Sequence, residues 1–80
     1  MPYITPEQRK DIKENNTPPA NAGELNYVIT LLIRNYFYKN PSYQSVNDIV
    51  GALEGAKLEF YRRVAAPYED NKIKLNGDVY

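Results

Sequence analysis

Two adjacent arginines flanked by tyrosines form the cluster in this sequence that is best suited to chemistry. Tyr61, Arg62 and Arg63 are consecutive, and Tyr68 follows shortly after them. A guanidinium group matches a phosphate with parallel hydrogen bonds, and a tyrosine offers a stacking face together with a hydroxyl. The cluster therefore predicts a site for a nucleotide-like, anionic small molecule.

The alternative interpretation is an ordinary solvated helix surface. Glu59 lies three residues before Arg62 and four before Arg63, the spacings at which opposite charges pair on a helix. Neighbouring side chains project about 100° apart on a helix, so we expect Glu59 to hold only one of the two arginines well. The other arginine would then be free to bind a ligand.

Residue types that usually support catalysis or metal binding are scarce. The chain has no cysteine and no histidine, and its candidate acid–base groups are Glu54, Glu59, Glu69 and Asp70. Catalytic carboxylate pairs need neighbours that separate their pKa values, and no nucleophile–base pair, phosphate loop or zinc-ligand spacing occurs. We therefore predict a protein that is not an enzyme and has no cofactor or metal.

Three helices are predicted to position these residues. Thr5, Pro6 and Gln8 form a capping box that begins a first helix at about 6–14, which Tyr3, Ile4 and Ile12 are expected to dock. Residues 15–19 end in two prolines and are predicted to be a linker.

The second and third helices are predicted to follow at about 22–39 and 46–66. Asn21 and Ser45 are their expected N-caps, and Pro67 is expected to end or kink the third helix. Residues 68–72 then add a further turn. The short connection between the second and third helices favours an antiparallel hairpin.

These elements predict one all-α domain over residues 1–80. It comprises an N-terminal helix and linker (1–21), an antiparallel helical hairpin (22–72) and a tail (73–80). Residues 25–38, LNYVITLLIRNYFY, are apolar on every side of the second helix. A helix of this kind must be buried all round, so we predict a homo-oligomer, in which an aspartate at Ile29 or Leu32 would unfold the chain.

Small residues on the third helix and the overall charge bear on partners. Gly51 and Gly55 lie one turn apart, which favours close helix packing over a ligand lying on bare backbone. Ten basic and ten acidic residues give no net charge, which disfavours nucleic-acid binding. No apolar run is long enough to cross a membrane, and no signal-peptide pattern begins the chain, so we expect a cytoplasmic protein.

Several stretches carry a family resemblance. They are MPYI at 1–4, GELNYVIT at 23–30, AKLEFYRRV at 56–64, PYED at 67–70 and NGDVY at 76–80. With them the chain resembles a family of unknown function made up of short proteins from bacteriophages, prophages and some bacteria. The resemblance leads us to expect a cysteine in many relatives at the position where this chain has Gly55. The resemblance implies a phage-encoded accessory protein, which would work in the host cytoplasm, and it implies no catalytic residue.

Two functions are compatible with these observations. In the first, a small oligomer sequesters a nucleotide-like signal and so blocks host defence, with Tyr61, Arg62, Arg63 and Tyr68 as the ligand-binding residues. In the second, the protein is an adaptor or structural oligomer that binds proteins and no small molecule. A nucleotide should raise the melting temperature of the first and leave that of the second unchanged.

Overall fold

The computed structural model describes residues 4–80, and all regular structure in that range is helical. Helix α1 spans Pro6–Asn15, α2 spans Ala22–Lys39 and α3 spans Tyr43–Phe60. A π-helical turn, Tyr61–Ala65, follows α3 and leads into α4, Ala66–Asn76. The all-α class predicted from the sequence is confirmed for this part of the chain. The antiparallel hairpin and its packing into an oligomer remain predictions.

The chain divides into two compact units. The first ends at Ser45, and the second runs from Val46 to Tyr80.

Helix α1 begins with the capping box that the sequence predicts. The Thr5 hydroxyl accepts a hydrogen bond from the Gln8 amide at 3.1 Å, and the Gln8 side chain accepts one from the Thr5 amide at 2.7 Å. Pro6 occupies the first turn, where no helical partner for an N–H is needed. The helix ends at Asn16, whose φ of 53° places it in the left-handed region that asparagine tolerates better than most residues.

Glu24 joins the start of α2 to α1. Its amide donates to the Asn21 side chain at 2.9 Å, so Asn21 is the N-cap, as expected. Its carboxylate accepts from the Ala20 amide at 3.1 Å and from the Gln8 side-chain amide at 3.0 Å. One side chain therefore satisfies a donor beside the α2 cap and also fixes the position of α1.

The core of the first unit is small. Its buried apolar residues are Ile4, Ile12 and Tyr27, with Val28 and Leu31 packed against them. The docking roles predicted for Ile4 and Ile12 are confirmed, whereas Tyr3 lies outside the described residues. A core of this size gives limited stability, as is usual for short chains.

Helix α3 begins three residues earlier than the sequence analysis predicted. The Ser42 hydroxyl, and not that of Ser45, accepts the capping hydrogen bond, from the Ser45 amide at 3.1 Å. The Ser45 hydroxyl instead donates to the Asn40 carbonyl at 2.6 Å and is buried. Because the Ser45 hydroxyl donates to the Asn40 carbonyl, the capping role is taken by Ser42, the preceding serine.

The helical path does not end at Pro67. A proline lacks the N–H for a helical hydrogen bond, and its ring collides with the carbonyl four residues earlier. The π-helical turn accommodates this, with the Ala66 amide donating to the Tyr61 carbonyl five residues back. Helix α4 then continues to Asn76 and ends at Gly77, whose φ of 83° suits glycine. Residues 73–76, predicted as part of the tail, are therefore helical.

Candidate functional site

The four predicted ligand-binding residues lie close together along one helical segment of the second unit. Tyr61, Arg62 and Arg63 belong to the π-helical turn, and Tyr68 lies in the first part of α4. Their side chains are exposed, including both guanidinium groups. The cluster is therefore an exposed surface, and Tyr68 also lines a depression next to it with Glu69 and Lys72.

Glu59 binds both arginines of this cluster. Arg62 Nη2 donates to the two carboxylate oxygens at 2.9 and 3.1 Å, and Arg63 Nε donates to Oε1. The expectation that Glu59 would hold only one arginine well is wrong, because residues three and four positions on both reach the same carboxylate. Two cations around one anion leave a net positive charge. The exposure of all three groups lets water screen it.

The tyrosines of the cluster interact with α4. A hydrogen bond from the Tyr61 hydroxyl to Glu69, together with the negative charges of Glu69 and Asp70, raises the pKa of Tyr61 above its ordinary value. Lys72 Nζ lies over the Tyr68 ring, 5.6 Å from the ring centroid. The Tyr61 end of the cluster therefore faces carboxylates, which oppose the binding of an anion there.

The raised pKa of Tyr61 leads to an alkaline prediction. The neutral hydroxyl is stabilised in the folded chain, so its contribution to stability is present below pH 10 and is lost as the pH rises through the folded-state pKa. Tyr61→Phe should remove one late-ionising tyrosine from an ultraviolet titration of the folded protein. Glu69→Gln should lower the pKa of Tyr61 toward 10.0. An alkaline titration of Glu69→Gln that matches the parent would contradict this assignment.

A second candidate site, missed by the sequence analysis, lies in the first unit. A groove of about 490 Å³ runs between α1, the linker after it and α2. It combines an apolar floor with two cations, Lys13 and Arg34, and Arg34 stacks over the Tyr38 ring at 5.9 Å from its centroid. The spacing of Arg34 and Tyr38, one helical turn apart, was the signal available in the sequence.

The small residues of α3 do not pack closely within the described chain. A Cβ atom added at Gly51 or Gly55 would meet nothing within 4 Å. The close helix packing expected at these glycines is therefore absent from residues 4–80.

Residues 4–80 contain neither a cluster of potential metal ligands nor a membrane-spanning helix. Among the described residues, no group of three acidic side chains is arranged to hold a metal ion. Within the same range, every helix is too short or too polar to cross a membrane.

Residues 4–80 thus form a small all-helical structure with a small apolar core, an exposed basic cluster and a groove between α1 and α2. The chain belongs to a family described as a domain of unknown function, DUF6899, whose model matches residues 1–79. No curated protein and no solved structure matches it. The resemblance to a family of unknown function is thus confirmed, whereas the phage origin remains a prediction.

Proposed function

We propose that this protein is a non-enzymatic accessory protein of the phage type that acts as a homo-oligomer. The observation that carries the proposal is an apolar stripe on α2, made of Leu25, Ile29, Leu32 and Tyr36. These residues follow one another at spacings of four, three and four, so they share one helix face. They are 50, 37, 66 and 50% exposed.

A second copy of the chain is the occupant that fits this stripe. Contiguous apolar patches on soluble monomers are usually interaction sites. Ten basic and ten acidic residues cancel, so copies of the chain do not repel one another through net charge. An interface between identical stripes also satisfies the self-complementarity that a two-fold dimer requires.

Light scattering on the eluting protein tests the proposal. We expect a mass of at least twice the chain mass of 9.2 kDa at micromolar concentration. A monomeric mass across the accessible concentration range would overturn the homo-oligomer.

A second candidate function is the sequestration of a nucleotide-like signal, which would block host defence from within the host cytoplasm. The observation that favours it is the pair Arg62 and Arg63, which outnumber their shared partner Glu59 and keep exposed donors. A charge-assisted hydrogen bond contributes roughly 1.5–3 kcal/mol when it is made. The alternative to sequestration is that the accessory protein of the first proposal is a protein–protein adaptor and binds no small molecule.

A thermal-shift screen with cyclic and linear nucleotides separates sequestration from the adaptor. Sequestration requires that a nucleotide raises the melting temperature, and that Arg62→Ala or Arg63→Ala weakens the effect. If both variants stay folded and bind as tightly as the parent, the ligand is held elsewhere. A melting temperature that no nucleotide changes would contradict sequestration and favour the adaptor.

A further inference from the structure

The groove of the first unit has the composition of a small-molecule site. Its volume of about 490 Å³ falls within the range of roughly 300–1,000 Å³ typical of ligand pockets. All its lining residues lie between Ile12 and Tyr38, so it is formed by the first unit alone.

The floor of the groove is continuous with the core. Ile12 is buried, and Val28 and Leu31 are half-buried against it. Pro18 and Pro19 form part of the wall, and their fixed backbone φ angles restrict the movement of that wall. The floor can therefore hold an apolar group against side chains that are already packed in place.

The charged side chains that line the groove have one sign. Lys13 and Arg34 line it, and no carboxylate does. Within residues 4–80, neither cation forms an ion pair. Asp11 interacts with the lining residue Thr17, and hydrogen bonds from Asn15 and Thr17 lower the pKa of Asp11. The groove thus offers two cations without an ion-pair partner beside an apolar floor, with one carboxylate, that of Asp11, bound to its lining residue Thr17. In the Tyr61 cluster, two carboxylates, those of Glu59 and Glu69, compete with an anion.

We propose that this groove binds a small organic anion with an apolar body, whose anionic group is held by Lys13 and Arg34 while its body lies on Val28 and Leu31. A phosphate on a flat heterocycle and a carboxylate on an alkyl chain share this chemistry. The proposal does not depend on nucleotide binding at Tyr61, and the groove shares one residue, Leu32, with the apolar stripe proposed for self-association.

Titrations followed by amide NMR spectra test the site with two probes, adenosine monophosphate and octanoate. Adenosine and inorganic phosphate are the matched controls, because each carries only half of the recognised chemistry. At least one probe should shift the amide signals of residues 13–17 and 28–38, and should bind more tightly than its controls. The probe that binds more tightly identifies the source of the anion. Failure of both probes to bind at millimolar concentration would overturn the proposal.

Charge-removing variants test the residues. Arg34→Gln and Lys13→Gln should each weaken binding of the better probe by roughly tenfold, the effect of losing one charge-assisted hydrogen bond. Lys74→Gln is the control, since it removes an exposed cation from the second unit that belongs to neither candidate site, and it should leave the affinity unchanged. Unaltered affinity in both groove variants, or signal shifts confined to residues 59–72, would assign the anion to another site.

Discussion

Replacing Tyr27 with alanine is expected to unfold the first unit. Tyr27 is 7% exposed and is the largest member of a core that also contains Ile4 and Ile12. Truncating a buried aromatic residue typically costs about 3–5 kcal/mol. The total stability of a domain this small is expected to be near the lower end of the usual range, about 5 kcal/mol. The expected loss in free energy of unfolding is therefore nearly as large as the total stability.

Circular dichroism and amide NMR spectra provide the measurement. Tyr27→Ala should lose helical signal and the dispersed amide resonances of α1, because α1 is held by the same core. Tyr43→Ala is the matched control, since Tyr43 lies in the same unit and is 87% exposed. It should change stability by no more than about 0.5 kcal/mol. Equal melting temperatures for the two variants would show that Tyr27 does not support the core.

Leu32→Asp is expected to dissociate the oligomer into folded monomers. The sequence pattern predicted unfolding, because Leu32 was expected to serve the core as well as the interface. Leu32 is 66% exposed, so its replacement removes little core packing. A carboxylate placed within an apolar interface loses its hydration without gaining a partner, which is among the most costly changes an interface can undergo.

Light scattering combined with circular dichroism tests this expectation. The mass should fall to that of one chain while the helical signal is retained. Asn35→Asp, which places the same charge three residues away on α2, should leave the mass unchanged because Asn35 does not belong to the apolar stripe. An oligomeric Leu32→Asp protein would show that the stripe is not the interface, and an unfolded one would restore the interpretation made from the sequence.

Features determined by neighbouring residues could be predicted from the sequence. The bounds of α2 and the capping box of Thr5 and Gln8 match the prediction, because each depends on residues within one helical turn. The start of α3 was missed because Ser42 and Ser45 can both cap a helix. The choice between them depends on the Asn40 carbonyl, which only the folded chain brings into reach of Ser45.

The two candidate sites also differ in how close together their residues lie in the sequence. The Tyr61 cluster could be found because its members are close in sequence, although the sharing of Glu59 by two arginines could not be judged from projection angles alone. The spacing of Arg34 and Tyr38 indicated one part of the groove, but the groove as a whole could not be found, because Lys13 and Arg34 are far apart in sequence and lie on different helices. Long-range proximity of this kind depends on the docking of α1, which the Gln8–Glu24 hydrogen bond helps to fix.

The π-helical turn at Tyr61–Ala65 changes the helical phase of everything that follows it. A turn closed by a hydrogen bond between residues five apart contains one residue more than an α-helical turn. Each residue of an α-helix advances by about 100°, so α4 is rotated by roughly that angle relative to an uninterrupted helix. A helical wheel drawn across residues 43–76 therefore places Tyr68 and Lys72 about 100° away from their true directions. A separate wheel that begins at Ala66 is needed for α4.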